Sequence, residues 1–150
     1  MRHLRPLAAI LLAAALLAGC GGGSDEKDRF SQDYKPINDE LLQIRSSIGE
    51  VAQGTNEMLA GAFGGFATRV DALAHRLDAL KPPGDLRVKR DGLAAALILL
   101  GAQLKQISTR AAAHDAQGTR EATERMVIAL KAADGARRAL ARETGAKVGP

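Results

Sequence analysis

Residues 36–85 read PINDELLQIRSSIGEVAQGTNEMLAGAFGGFATRVDALAHRLDALKPPGD, and this stretch decides the fold. Its apolar series runs Ile37, Leu41, Ile44, Ile48, Val51, Met58, Ala62, Phe66, Val70, Leu73, Leu77 and Leu80, with Thr55 filling the gap. Steps of three and four throughout are the period of a helix. At about 100° per residue, every member stays within roughly 60° of one line. Two separate helices have no need to keep a common phase, so the pattern predicts one helix over about 36–81. Pro36 suits its first turn, where a missing N–H costs little. Gly61, Gly64 and Gly65 count against continuity, at ~1 kcal/mol each relative to alanine. They support an alternative of four helices with a break near Gly61–Gly65. Ser47, Gly54, Gly61, Gly65 and Ala72 share one flank, a seam where a second helix can approach.

Lys81-Pro82-Pro83-Gly84-Asp85 ends the series, because two successive prolines cannot continue a helix. Asp85 then suits an N-cap. A second helix follows to about residue 113, with Leu86, Leu93, Leu97, Leu100, Leu104, Ile107 and Ala111 on its stripe. Leu97-Ile98-Leu99-Leu100 is apolar all round and belongs at the centre of the structure. A break at His114–Gly118, capped by Asp115 or Thr119, precedes a third helix to about residue 144. Its apolar positions are Ala122, Met126, Ala129, Ala133, Ala136 and Leu140. Residues 145–150 are expected to fray. Short connections make neighbouring helices antiparallel. The expectation is an all-α antiparallel bundle of three long helices, the first longest. Composition agrees: alanine dominates, tryptophan is absent, and Phe30, Tyr34, Phe63 and Phe66 are the only aromatic residues.

Unequal lengths have a consequence. A helix over 36–81 extends about 69 Å, against near 43 Å for each of the other two. They cover it only back to about residue 53. Ile37, Leu41, Ile44 and Ile48 then form a stripe without cover, a contact surface for a second copy of the chain or for an envelope protein.

The N-terminus carries a different message. Arg2 and Arg5 are followed by an uninterrupted apolar run of 12 residues, Leu7–Ala18. That is short of the roughly 20 residues a bilayer core needs, but suits the apolar region of a secretory signal peptide. Leu17-Ala18-Gly19-Cys20 follows, and Cys20 is the only cysteine in the chain. This tetrapeptide resembles the lipobox of bacterial lipoproteins. The resemblance implies cleavage before Cys20, a diacylglyceryl thioether on its sulfur, and attachment to the extracytoplasmic face of a membrane. Gly21 stands where an aspartate often marks inner-membrane retention, so the outer membrane is open where the organism has one. With no second cysteine, the domain folds without disulfides. Leu80-Lys81-Pro82-Pro83 and the helical spacing around it resemble the alanine-rich helical lipoproteins of high-GC actinobacteria.

These readings divide the chain into a signal peptide (1–19), a lipidated cysteine with a flexible tether (20–35), a helical bundle (36–144) and a frayed tail (145–150). Gly21-Gly22-Gly23-Ser24 and the charged residues 25–29 have the composition of a flexible linker. Charge is uneven. Residues 20–84 hold 7 basic against 10 acidic residues, and residues 85–150 hold 12 against 7. Opposite signs suit packed antiparallel helices. A nucleic-acid partner is not expected of an exported domain.

Chemical motifs are absent. In an antiparallel hairpin His75 and His114 stand about 35 Å apart, and neither belongs to a Glu-x-x-His or His-x-x-x-His pair. No serine sits in Gly-x-Ser-x-Gly or Ser-x-x-Lys, and no phosphate loop is present. Asp71 and Asp78 read as solvated charges. The sequence therefore predicts no catalytic residue, no metal site and no cofactor. It points to a membrane-tethered structural or protein-interaction module, with a binder of a small apolar ligand or lipid as the alternative.

Overall fold

A computed structural model describes residues 22–51 and 54–149. Cys20, the rest of the lipobox and the signal-peptide segment lie outside the described residues. The described chain is all-α, with four helices: α1 (Gly22–Val51), α2 (Asn56–Ala79), α3 (Gly84–Ala112) and α4 (Ala116–Thr144). Each packs against its neighbours in the order α1, α2, α3, α4 and back to α1, and the diagonal pairs lie farther apart. The bundle is thus two helical hairpins laid face to face, α1–α2 against α3–α4.

The three-helix expectation is overturned, and the four-helix alternative holds. The break lies between Val51 and Asn56, while Gly61, Gly64 and Gly65 are inside α2. Thr55 has extended backbone and its side chain accepts from the Met58 amide, which caps α2. The common phase misled because it ran through residues that are not core. Thr55 is exposed, and Met58 is 59% exposed. A turn can occupy helical register without being helical, and Gly54-Thr55 is the turn-and-cap signal that marks it.

The fold-back changes the lengths. At 1.5 Å per residue, α1 is about 45 Å long, α2 about 36 Å, and α3 and α4 about 44 Å each. Every helix is therefore covered along most of its length. Ile37, Leu41, Ile44 and Ile48 are 1%, 7%, 2% and 3% exposed. They are intrachain core, not a partner interface.

Helix α1 also starts earlier than expected. Residues from Gly22 onward are helical, so 22–35 is not a flexible tether. Phe30 and Tyr34 lie one turn apart, their rings stacked 6.1 Å centroid to centroid, and both are buried. Burying such side chains contributes ~1.5–3 kcal/mol each. That offsets the ~3 kcal/mol cost of Pro36 inside the helix; Pro36 itself faces solvent.

α2 and α3 approach closely, though not along the expected seam. Gly61 and Gly65 face open space; Gly64 and Gly101 make the approach. The Ser108 hydroxyl lies over Gly64 and donates to the Ala60 carbonyl at 2.7 Å. Gly101 lies against Val70 and Ala67. The next turn works as foreseen for Asp115, which accepts from the Gly118 amide at 2.9 Å. Asp85, by contrast, is in the first turn of α3, with Pro83 at the cap. Among Leu97-Ile98-Leu99-Leu100, only Leu97 and Leu100 are core; Ile98 and Leu99 are each 60% exposed.

The tail is ordered against the bundle rather than frayed. Gly145 takes a left-handed conformation (φ 67°) and closes α4 through the Ala141 carbonyl. The chain then returns toward α1, with Ala146 buried. The described core runs from Phe30 to Ala146, so residues 22–149 contain all of it.

Shortening Leu41 or Ile44 to alanine is expected to lower unfolding free energy by ~2–5 kcal/mol. Urea denaturation measures the loss, and sedimentation should show no change in association. Unchanged stability with weakened association would contradict the fold-back of α1.

Candidate functional site

The most concentrated chemistry among the described residues is a buried polar cluster where α1, α4 and the tail meet. Asn38, Asp134 and Arg137 are 0%, 6% and 2% exposed. Arg137 and Asp134 lie one turn apart on α4, and Asn38 projects from the facing side of α1. The Arg137 Nε and Nη2 groups donate to Asp134 Oδ1 at 3.1 and 2.8 Å. Nη1 donates to Asn38 Oδ1 at 3.0 Å and to the Lys147 carbonyl at 3.2 Å. Nη2 also donates to the Val148 carbonyl at 2.6 Å. A guanidinium has five N–H donors, and these five bonds match them.

The surrounding groups close the set. Asn38 Nδ2 donates to the Lys147 carbonyl at 3.0 Å. Arg138 pairs with the second Asp134 oxygen at 2.5 Å, and Arg45 approaches the first at 3.8 Å. Tyr34 donates its hydroxyl to the Arg137 carbonyl at 3.3 Å. Burial raises the Tyr34 pKa well above the ordinary value, against a smaller opposing effect of the Arg137 charge. No nucleophile or general base stands free in this arrangement. Its polar groups hold one another, so its chemical capacity is structural: it clasps the tail to α1 and α4.

The space beside the clasp is small. A void of about 20 Å³ adjoins Asp134, Arg137 and Arg45, with Leu41, Leu97 and Leu130 opposite. That is room for about one water, far below the several hundred Å³ of a small-molecule site. A larger, open groove of about 710 Å³ runs between Leu42, Arg45 and Ser46 of α1 and residues 147–149 of the tail, on the surface rather than in the core. Phe63 and Phe66, two of the large adaptable side chains a ligand cavity would use, instead pack edge to face at 5.9 Å within the core.

The histidines stand apart. His75 is exposed on α2, 3.7 Å from Asp71. His114 forms the α3–α4 turn with φ 54°, its Nδ1 3.4 Å from the side-chain Nδ2 of Asn56. Among the described residues, no group of three or more His, Cys, Asp or Glu side chains converges to hold a metal ion. Asp78 pairs with Arg90 at 2.7 Å, and Glu40 takes Arg69 and Arg76.

Asn38, Asp134 and Arg137 are not among the residues that the sequence singles out. The available signal was positional: Asp134 adjoins Ala133, and Arg137 follows Ala136 in the apolar phase of α4. Lone charges near a stripe usually lie at its solvated edge, so local pattern alone could not distinguish them. No family model, curated protein or solved structure matches the chain.

Removing the guanidinium leaves Asn38 Oδ1 and two carbonyls without this donor. Arg137→Ala is expected to lower stability by ~3–5 kcal/mol, and Arg137→Lys to restore little of it, because lysine lacks the planar fork. Urea denaturation gives the loss, and hydrogen exchange should rise at residues 146–149. Unaltered exchange there would reject the clasp. A second expectation concerns Tyr34, the only tyrosine. Its neutral phenol is favoured in the folded state. Unfolded tyrosine ionises near 10, so stability is full below about pH 10 and falls as pH rises further. In Tyr34→Phe this component of the alkaline loss should vanish; an identical pH profile would contradict it.

Proposed function

We propose that this protein is a membrane-tethered extracytoplasmic lipoprotein, and that its helical domain is a non-catalytic structural or protein-interaction module. The observation that carries the reading is the lipobox Leu17-Ala18-Gly19-Cys20 after a short apolar run. Two acyl chains suffice for stable anchoring, since each buried methylene contributes ~0.8 kcal/mol. The domain's makeup supports the second half of the reading. Its polar cluster is mutually bonded, and its described core void has room for about one water. The surface is therefore where this module meets other molecules. With α1 helical from Gly22, the domain begins two residues after the anchor point. The module is held close to the membrane, not on a long leash.

Mass spectrometry of the chain from its native membrane should find Cys20 as the first residue, carrying diacylglycerol. Cys20→Ala should leave the protein uncleaved or released. A variant that matures and fractionates like the natural chain would overturn the anchor.

A further inference from the structure

The two helical hairpins differ sharply in charge. α1 and α2 together carry 6 basic and 10 acidic residues; α3 and α4 carry 11 basic and 6 acidic. Apolar exposure follows the same division. Of the six large apolar residues exposed in the described chain, Val88, Ile98, Leu99, Val127 and Ile128 are on α3 and α4. The most apolar stretch of α3 is only 33% buried. Its core-facing leucines are taken up by α2 and α4, so the remaining apolar surface faces outward.

Three of these, Val88, Leu99 and Ile128, fall on one face, with Ile98 and Val127 at its outer edges. On α3, Val88, Gly92, Ala95, Leu99 and Ala102 are spaced four, three, four and three apart, and all are exposed. On α4, Ile128, Ala132 and Gly135 form a matching exposed line. At about 100° per residue, these stripes run side by side along the outer face of the α3–α4 hairpin. Cations border them on both outer edges. Arg87 and Lys105 share one line on the α2 side of α3. Arg120, Lys131 and Arg142 share one on the α1 side of α4. With Arg125 beside the seam, these six are exposed and form no ion pair among the described residues. The acidic residues Asp85 and Glu121 stand near opposite ends of the face, and Glu124 lies along the Arg120 edge. Asp91 and Glu143 are neutralised by Arg90 and Lys89.

We propose that this face seats on an anionic lipid surface. An apolar strip flanked by long cationic side chains is the pattern of an interfacial membrane contact. The strip enters the headgroup boundary while arginine and lysine extend to the lipid phosphates. The charge pairing also orients the domain, because the acidic α1–α2 hairpin on the opposite side is repelled by the same surface. Nucleic acid fits less well. All four aromatic residues that could stack on bases, Phe30, Tyr34, Phe63 and Phe66, are in the core. The proposal rests on the tethered reading for bringing the domain near a membrane, while the seating itself comes from the bundle surface.

The test uses residues 22–150, which contain the whole described core. Co-sedimentation with phosphatidylglycerol vesicles is compared with pure phosphatidylcholine vesicles. Binding is expected only to the anionic vesicles and should weaken with salt. A triple variant Lys105→Gln, Arg125→Gln, Lys131→Gln should lose about fivefold in affinity per cation removed. Leu99→Gln with Ile128→Gln should weaken binding without altering thermal melting, since both side chains are exposed. Arg29→Gln with Lys35→Gln, on the acidic hairpin, should leave binding unchanged. Absence of binding, or equal binding to both vesicles, overturns the proposal. So does binding indifferent to Leu99 and Ile128, which is plain cation exchange. A dimer in sedimentation that the Leu99 and Ile128 changes dissolve would assign the face to a second copy instead. The lipid on Cys20 is read separately on the full chain, so the two readings fail independently.

Discussion

Phe30, Tyr34, Ile37, Leu41, Ile44 and Ile48 form a continuous apolar stripe on α1, and six such side chains cannot stay in water. Each contributes ~1.5–3 kcal/mol when buried, and the cover available lies in the three helices that follow. The turn between Val51 and Asn56 folds α1 back and brings the stripe against them. Helix lengths then match, the short turns set an antiparallel order, and α1 remains helical through Pro36. The close α2–α3 contact at Gly64 and Gly101 completes the other side of the core.

The seam between α1 and α4 is joined in a second way. The large apolar side chains of α1 meet an α4 face whose buried apolar residues are Ala122, Met126, Ala133, Leu140 and Ala141, and apolar contacts carry no direction. The Arg137 clasp supplies what packing lacks. Five donors meet acceptors on α4, α1 and the tail, and a slip of one helical step would leave several unmet in a dry environment. A buried ion pair is poor evidence of net stability, but its directionality can specify one arrangement. Here it also sets the path of the tail, whose carbonyls complete the guanidinium's partners.

The exterior of the bundle is divided by charge and by apolar exposure. Beside the clasp lies a water-sized void, and among the described residues no group of three or more His, Cys, Asp or Glu side chains converges to hold a metal ion. Outside, apolar and cationic side chains gather on α3–α4 while acidic ones gather on α1–α2.

Some of this was legible without coordinates. Helical period, the rarity of strand-forming residues and the Pro82-Pro83 stop determined an all-α antiparallel class, because these are local properties of backbone and side chain. The lipobox reading rests on the linear sequence alone, because Cys20 and the residues before it lie outside the described residues. Helix number was not legible: Thr55 and Met58 kept the phase of a helix while standing outside the core. Whether Ile37, Leu41, Ile44 and Ile48 faced a partner or their own chain turned on that one break. The clasp was hidden for a related reason. Asn38 and Arg137 are 99 positions apart, and each looks like an ordinary polar residue beside an apolar stripe. Only the folded chain brings them together and removes the water that would otherwise solvate them. Local periodicity determines what each segment becomes, whereas burial of a polar group depends on which distant segment arrives to cover it.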